Sequence, residues 1–247
     1  MAKQRKALVI GVGAEQGLGA ALCRRFTREG YHVLVGGRTP ARIEAVARTI
    51  VAAGGRAEPL TVDATAEGDV VAAFDRAMAE EAGSEPADLV VFNAGNNSPH
   101  DFRTLSAAAF EDSWRVGCFA GFLVGREAAW RLTPLGRGTV IFTGASGSLR
   151  GRPSFASFAA AKAGLRAVAQ AMAREFGPLC LHVAHVVIDG GIDGDRLLSR
   201  YPQRRAERGE SGLLDIDAIA EAYWQLHRQH RSAWSHEIDL RPFKEPF

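Results

Sequence analysis

Cysteine is scarce in this chain of 247 residues, and the three present stand far apart at Cys23, Cys118 and Cys180. Their spacing offers neither a CxxC pair nor a ligand set, so a disulfide framework and a bound metal are both unexpected. Long hydrophobic runs are missing too. The run at 7–12 ends among glycines, too short for a membrane span or a signal peptide's apolar stretch, although Met1 to Lys6 is basic. Nor does charge of one sign accumulate. The formal net charge is +2, and the nearest basic run, Arg200 to Arg208, is broken by Tyr201, Pro202 and Glu207. That run reads as a solvated loop rather than a phosphate-binding patch. What remains is a cytoplasmic protein with no membrane or nucleic-acid partner, acting on a small molecule. Tyrosine is the last shortage, with Tyr31, Tyr201 and Tyr223 alone.

Hydrophobic residues make up 47% and charged residues 23%, the balance of an ordinary globular chain. Short runs rich in Val, Ile and Leu at 7–12, 32–36, 57–62, 88–92, 139–143 and 182–188 suit strands buried on both faces. Between them, 17–29, 40–53, 67–81, 107–132 and 154–176 have helical length and an alanine-rich amphipathic pattern. Pro40 falls where a first-turn proline is tolerated, with Thr39 before it as the N-cap. Alternation of this kind implies an α/β fold: a single doubly wound, Rossmann-type parallel sheet with helices on both faces. One domain over 1–247 is expected. Its late segment 189–212 lacks periodicity and reads as a mobile substrate loop, before a helix at 215–230 and a closing strand at 235–240.

The loop after the first strand is Gly13-Ala14-Glu15-Gln16-Gly17-Leu18-Gly19. Glycines there make the tight turn, admit a pyrophosphate to the backbone and let helix and strand pack closely. The amides and dipole of the following helix attract the phosphates. The position of this loop, between a strand and a helix, is the context such a motif requires. With the spacing Gly-x-x-x-Gly-x-Gly, with Asn93-Ala94-Gly95 after the fourth strand and with Lys162 in Phe158-Ala159-Ala160-Ala161-Lys162, the chain resembles the short-chain dehydrogenase/reductase family over nearly its whole length. The resemblance implies a nicotinamide dinucleotide held by Gly13, Glu15, Gln16, Gly17, Leu18, Gly19, Arg38, Asp63, Ala64, Asn93, Ala94, Gly95, Lys162 and Ile192. Asp63 is the residue that would contact adenine. An acid at position 37 would bind the ribose hydroxyls of NAD, but the chain has Gly37 followed by Arg38, whose guanidinium suits a 2′-phosphate. NADP(H) is therefore expected over NAD(H), with Glu15 arguing mildly the other way.

The same resemblance exposes a broken catalytic set. The family's tyrosine acid falls on Phe158, its serine on Ala145 and its asparagine on Cys118; Lys162 alone is retained. Ser146 adjoins the lost serine and is the candidate replacement, with Ser148 behind it. Ser157, five residues before Lys162, faces off that side of its helix. Tyr31 precedes the second strand, far from the carboxyl ends of the sheet; Tyr223 is on a late helix, and Tyr201 could fold over a substrate. Asp189 takes the place of a proline that the family carries after the sixth strand, either to meet substrate or to cap the loop.

Two functions follow. One is an NADP(H)-dependent oxidoreductase acting on an activated C=C or C=N bond, which needs no tyrosine acid. The other is a non-catalytic NADP(H)-binding sensor or partner subunit; a scaffold without ligand fits poorly with so complete a loop. The resemblance also implies a homodimer or homotetramer built through the helices at 107–132 and 154–176.

Overall fold

In the computed structural model, which describes residues 3–81 and 83–246, the apolar runs become the seven described strands of one parallel sheet. These are β1 (Gln4–Ile10), β2 (His32–Gly37), β3 (Arg56–Thr61), β4 (Ser84–Phe92), β5 (Thr139–Thr143), β6 (His182–Ile188) and β7 (Glu237–Leu240). Their order is β3-β2-β1-β4-β5-β6-β7, every neighbouring pair parallel. Successive side chains of a strand point to opposite faces. Ala7 and Val9 of β1 therefore pack under α1 (Leu18–Arg28), α2 (Pro40–Ala52) and α9 (Ile216–His227). Leu8 and Ile10 pack under α3 (Glu67–Met78), α5 (Ala120–Leu132) and α6 (Ala156–Phe176). Both faces are covered, as the sequence pattern requires.

The strand order reverses between β1 and β4. In open α/β sheets the crevice at such a reversal, outside the carboxyl ends of the strands, is where ligands bind. Here it lies between the glycine loop and Asn93-Ala94-Gly95.

Two expectations need correction, and two others gain detail. The third strand is not buried on both faces: as an edge strand, β3 is half-exposed along its length, and Pro59 sits there because an edge tolerates a missing amide. The helix expected over 107–132 is interrupted. It runs as α4 (Ala107–Trp114), a π turn at Arg115–Phe119, and then α5. A π turn inserts one residue per turn and is frequent at functional sites. This one carries Cys118. The segment 189–212 holds α7 (Asp195–Leu198) and α8 (Arg204–Arg208), tied down by backbone bonds from Asp193 N to Leu214 O and Asp195 N to Gln16 O, both 2.8 Å. Finally, Thr39 stands at the N-cap of α2, but its hydroxyl makes no cap bond.

Candidate active site

Close approach of backbones builds the floor of the crevice. Gly11, at φ +103°, is the glycine that motif reading passed over. A Cβ on it would lie 2.5 Å from Ala94 N, so β1 and β4 meet there only because it has none. Gly19 plays the second such part, since its Cβ would stand 2.9 Å from Val12 Cα. Asn93 bridges the two loops: its amide nitrogen Nδ2 donates to Gly11 O at 3.1 Å and its backbone N to Ile10 O at 2.7 Å. Gly13, by contrast, has open space on its side-chain face. Helix α1 starts at buried Leu18 behind Gly17, and no side chain caps it. Its first amides are thus left for an anion. Glu15 does not face that position. Its carboxylate accepts from the Thr49 hydroxyl at 2.6 Å, on α2.

At the end of β2 the structure explains Gly37. A Cβ there would lie 2.4 Å from Val12 O, so this backbone has no room for an acidic side chain. Arg38 is exposed and has no hydrogen bond or ion pair among the described residues. Across from it, Asp63 accepts from the amide and the hydroxyl of Thr65 at 2.9 and 2.8 Å. The Thr65 amide above all, and in smaller part the charges of Arg38 and Arg115, hold its carboxyl below the usual range. Ala64 beside it is buried.

Lys162 is the centre of the other half. It is 4% exposed, and its Nζ donates to Thr143 O at 2.7 Å and Ala94 O at 3.3 Å. Burial, and secondarily the charge of Arg196, bring its pKa down to about 8. Gly95 lies against it: a Cβ there would sit 3.2 Å from Nζ. Four residues earlier on α6, Phe158 is half-buried, with its ring packed over Gly147 and edge-on to Phe155. It is therefore a wall of the site and not a core residue. Cys118 is buried under α6, where a Cβ on Gly164 would come within 2.7 Å of its Sγ. Burial pushes its thiol pKa up, which makes it a weaker acid than an ordinary cysteine.

Ser146 opens the turn after β5; it is half-buried, and its hydroxyl has no partner among the described residues. Ser148 is buried and committed: its Oγ accepts from Ala145 N at 3.2 Å and lies 3.4 Å from His185 Nε2. His185 Nδ1 in turn is 2.8 Å from Glu237, which Arg166 holds by two 2.7 Å bonds. Burial lowers the His185 pKa to about 4 and keeps the ring neutral. Ser157 is buried.

None of the three tyrosines replaces the acid. Tyr31 bonds His227 at 2.7 Å, Tyr223 is buried with its phenol donating to Thr143 Oγ1 at 2.9 Å, and exposed Tyr201 stacks under Arg204. Asp189 is fully buried, taking bonds from Arg150 at 3.0 and 3.1 Å and Arg241 at 3.0 Å. It ties loops together through these arginines. Ile192 bridges to Leu214 and packs on the core below the glycine loop.

Above this floor, α7 closes onto the glycine loop. Gln16 N donates to Asp195 Oδ2 at 3.3 Å, and Arg196 Nη1 donates to Gly95 O at 3.0 Å. Neither α7 residue was singled out by sequence, because the segment has no period to place it. No cluster of metal-ligating side chains occurs among the described residues, and no described helix is long and apolar enough to cross a membrane.

The profile of the short chain dehydrogenase family matches residues 6–197. An uncharacterised oxidoreductase of Bacillus subtilis (strain 168), YuxG, is 31% identical over 222 residues, which are 89% of this chain and 31% of that protein. The chain thus spans about a third of that relative's length. The peroxisomal 2,4-dienoyl-CoA reductase of Rattus norvegicus is 28% identical over 199 residues, 80% of this chain and 66% of the relative. Among solved structures, a short-chain dehydrogenase from Rhodopseudomonas palustris superposes with a TM-score of 0.81 at 37% identity, covering 97% of this chain and 99% of that one.

Proposed function

The chain belongs to the short chain dehydrogenase family, and on that premise we propose that it is a cytoplasmic NADP(H)-dependent oxidoreductase acting on an activated C=C or C=N bond. One observation carries the reading: a glycine-loop crevice with buried Lys162 stands beside a site whose proton-donor positions are filled by Phe158, Ala145 and Cys118. The residues fit the cofactor. Uncapped amides of α1 and the open face of Gly13 suit the pyrophosphate, the notch at Gly95 beside Lys162 suits a ribose, and Asp63 and Ala64 flank the adenine position. When bound, the dinucleotide supplies or takes a hydride.

The chain's own groups then set what can react. Reducing a ketone leaves an alkoxide, and a placed donor for it is worth about 10²–10⁴-fold in rate. Phe158 offers none. An enone or an iminium ends as a delocalised anion or a neutral amine, for which the charge of Lys162 and a bond from Ser146 suffice. The rat relative, named for a dienoyl-CoA, shows that a conjugated C=C substrate occurs in the family. NADPH oxidation across ketones, enones and imines tests the proposal: turnover is expected on the latter two, and silence on all three leaves the second reading, a binding protein without catalysis.

For the cofactor, unpaired Arg38 beside side-chain-free Gly37 supports NADP(H). A charge-assisted bond contributes about 1.5–3 kcal/mol, so Arg38→Ala should weaken NADPH binding roughly 10–100-fold while leaving NADH within a factor of two or three. Equal losses for both, read by fluorescence titration, would sink the assignment.

A homo-oligomer through α5 and α6 completes the proposal. Those helices carry an apolar groove of about 590 Å³ lined by Phe122, Ala129, Trp130, Val168, Met172 and Phe176, and Trp130 is 73% exposed. Exposed apolar surface of this kind marks an association face. Trp130→Glu should shift the protein to the monomer in sedimentation velocity; an unchanged mass would exclude this face.

A further inference from the structure

The segment from α7 to α8 carries five arginines, and they divide into two sets. Arg204 pairs with Glu207 at 3.4 Å, Arg205 with Asp193 at 2.8 Å and Arg208 with Glu245 at 3.2 Å. Arg196 and Arg200 have no carboxylate within 4.0 Å among the described residues. Of these two, Arg196 stands at the crevice. Arg196 Nη1 rests on Gly95 O, and Lys162 Nζ rests on the carbonyl of the preceding residue, Ala94. Two cations thus occupy consecutive carbonyls of one turn, with no acid between them. The nearest acid in sequence, Asp195, turns away to the Gln16 amide.

Like charges this close oppose each other wherever water is displaced. For Lys162 the opposing charge is Arg196; for Arg196 it is Arg200. Burial and then Arg196 lower Lys162, while partial enclosure and then Arg200 lower Arg196. An anion lying against Arg196 relieves that repulsion, and a planar guanidinium takes a carboxylate or phosphate by two parallel bonds. The cofactor's pyrophosphate belongs elsewhere, at the uncapped α1 amides behind Gly17.

We propose that Arg196, backed by Lys162, binds a carboxylate or phosphate group of the substrate, so that this protein works on anionic molecules. This rests on the oxidoreductase reading for the word substrate, but the anion site is measured without turnover.

Succinate, inorganic phosphate and neutral succinamide are titrated by calorimetry onto the protein alone and onto the protein saturated with NADP⁺, for wild type, Arg196→Ala and Arg196→Lys. Succinate or phosphate should bind the wild type and weaken at least tenfold in Arg196→Ala, the loss of about one charge-assisted bond. Arg196→Lys should recover part of it, and succinamide should not bind. NADPH affinity should stay within about threefold in both variants, which also reports that they are folded. Anion binding that is absent, or equal in wild type and Arg196→Ala, overturns the proposal. So does a parallel loss of NADPH and anion affinity, which would give the guanidinium to the pyrophosphate. Failure of NADPH to bind the wild type would overturn the oxidoreductase reading, while the titrations on cofactor-free protein still decide the anion site.

Discussion

Phe158→Tyr combined with Ala145→Ser is expected to raise NADPH-dependent reduction of simple ketones by roughly 10²–10⁴-fold, the worth of a positioned proton donor, with up to about a further 10²-fold from an oxyanion hydrogen bond. The geometry is prepared for it. Position 158 lies one helical turn before Lys162 on α6, so both side chains share a face. The Phe158 ring already lines the site against Gly147 and is not locked into the core. A phenol at the same place extends toward the groups around Lys162 without repacking the interior. Protonated Lys162, the nearby charge, would favour the phenolate and bring the hydroxyl's pKa toward neutrality, where general acids work best. Ala145 is nearly buried and its amide is fixed by Ser148 Oγ at 3.2 Å, so a serine hydroxyl there starts from a constrained backbone. Each single variant should show a much smaller gain, because donor and orienting group act as a unit. Initial rates over a ketone panel read the effect. Ketone activity unchanged in the double variant, with NADPH binding intact, would mean that the site departs from carbonyl chemistry in more than these side chains.

The parallel sheet and the position of the glycine loop were legible in the sequence because they rest on local signals. Apolar runs of strand length between helical segments permit few topologies once crossovers are right-handed. The bounds of β5 and β6 follow closely from Thr139 to Thr143 and His182 to Ile188, mostly apolar runs that are buried throughout. What sequence does not carry is contact between distant segments. Gly11 looks like an ordinary strand-end glycine until β4 is placed 2.5 Å from its missing Cβ. His185 and Glu237 are unremarkable on β6 and β7 until pairing sets them side by side under Ser148. The π turn at Arg115–Phe119 leaves no mark in composition, since a single inserted residue preserves the amphipathic pattern on both sides. Arg196 was hidden for a different reason. It belongs to a segment with no period, and its partner is a backbone carbonyl 101 residues away.

Lys162 lends itself to the sharpest stability measurement. Its folded pKa of about 8 lies below the ordinary 10.5, chiefly because burial disfavours the charge. The sign follows from proton counts. Between pH 8 and 10.5 the unfolded chain holds this proton and the folded one has released it, so stability rises with pH across that window. Below pH 8 the cost is fully present, a shift of 10.5 − 8 = 2.5, or about 3 kcal/mol at ~1.4 kcal/mol per unit. Lys162→Met removes that cost but leaves Thr143 O and Ala94 O without their donor, at roughly 1 kcal/mol each. The variant should therefore be slightly more stable than the wild type at pH 7 by urea unfolding. Its advantage should fall by about 2–3 kcal/mol by pH 10 and reverse, as the wild type sheds its charge. Stability curves that run parallel from pH 7 to 10 would show that the ammonium is not paid for in folding energy. A fold that keeps an ammonium buried on carbonyls alone, with no carboxylate on it among the described residues, keeps it for what the charge does in the crevice. NADPH binding should accordingly be weakened in the same variant that is more stable at neutral pH, and it is this opposition that separates a functional lysine from a structural one.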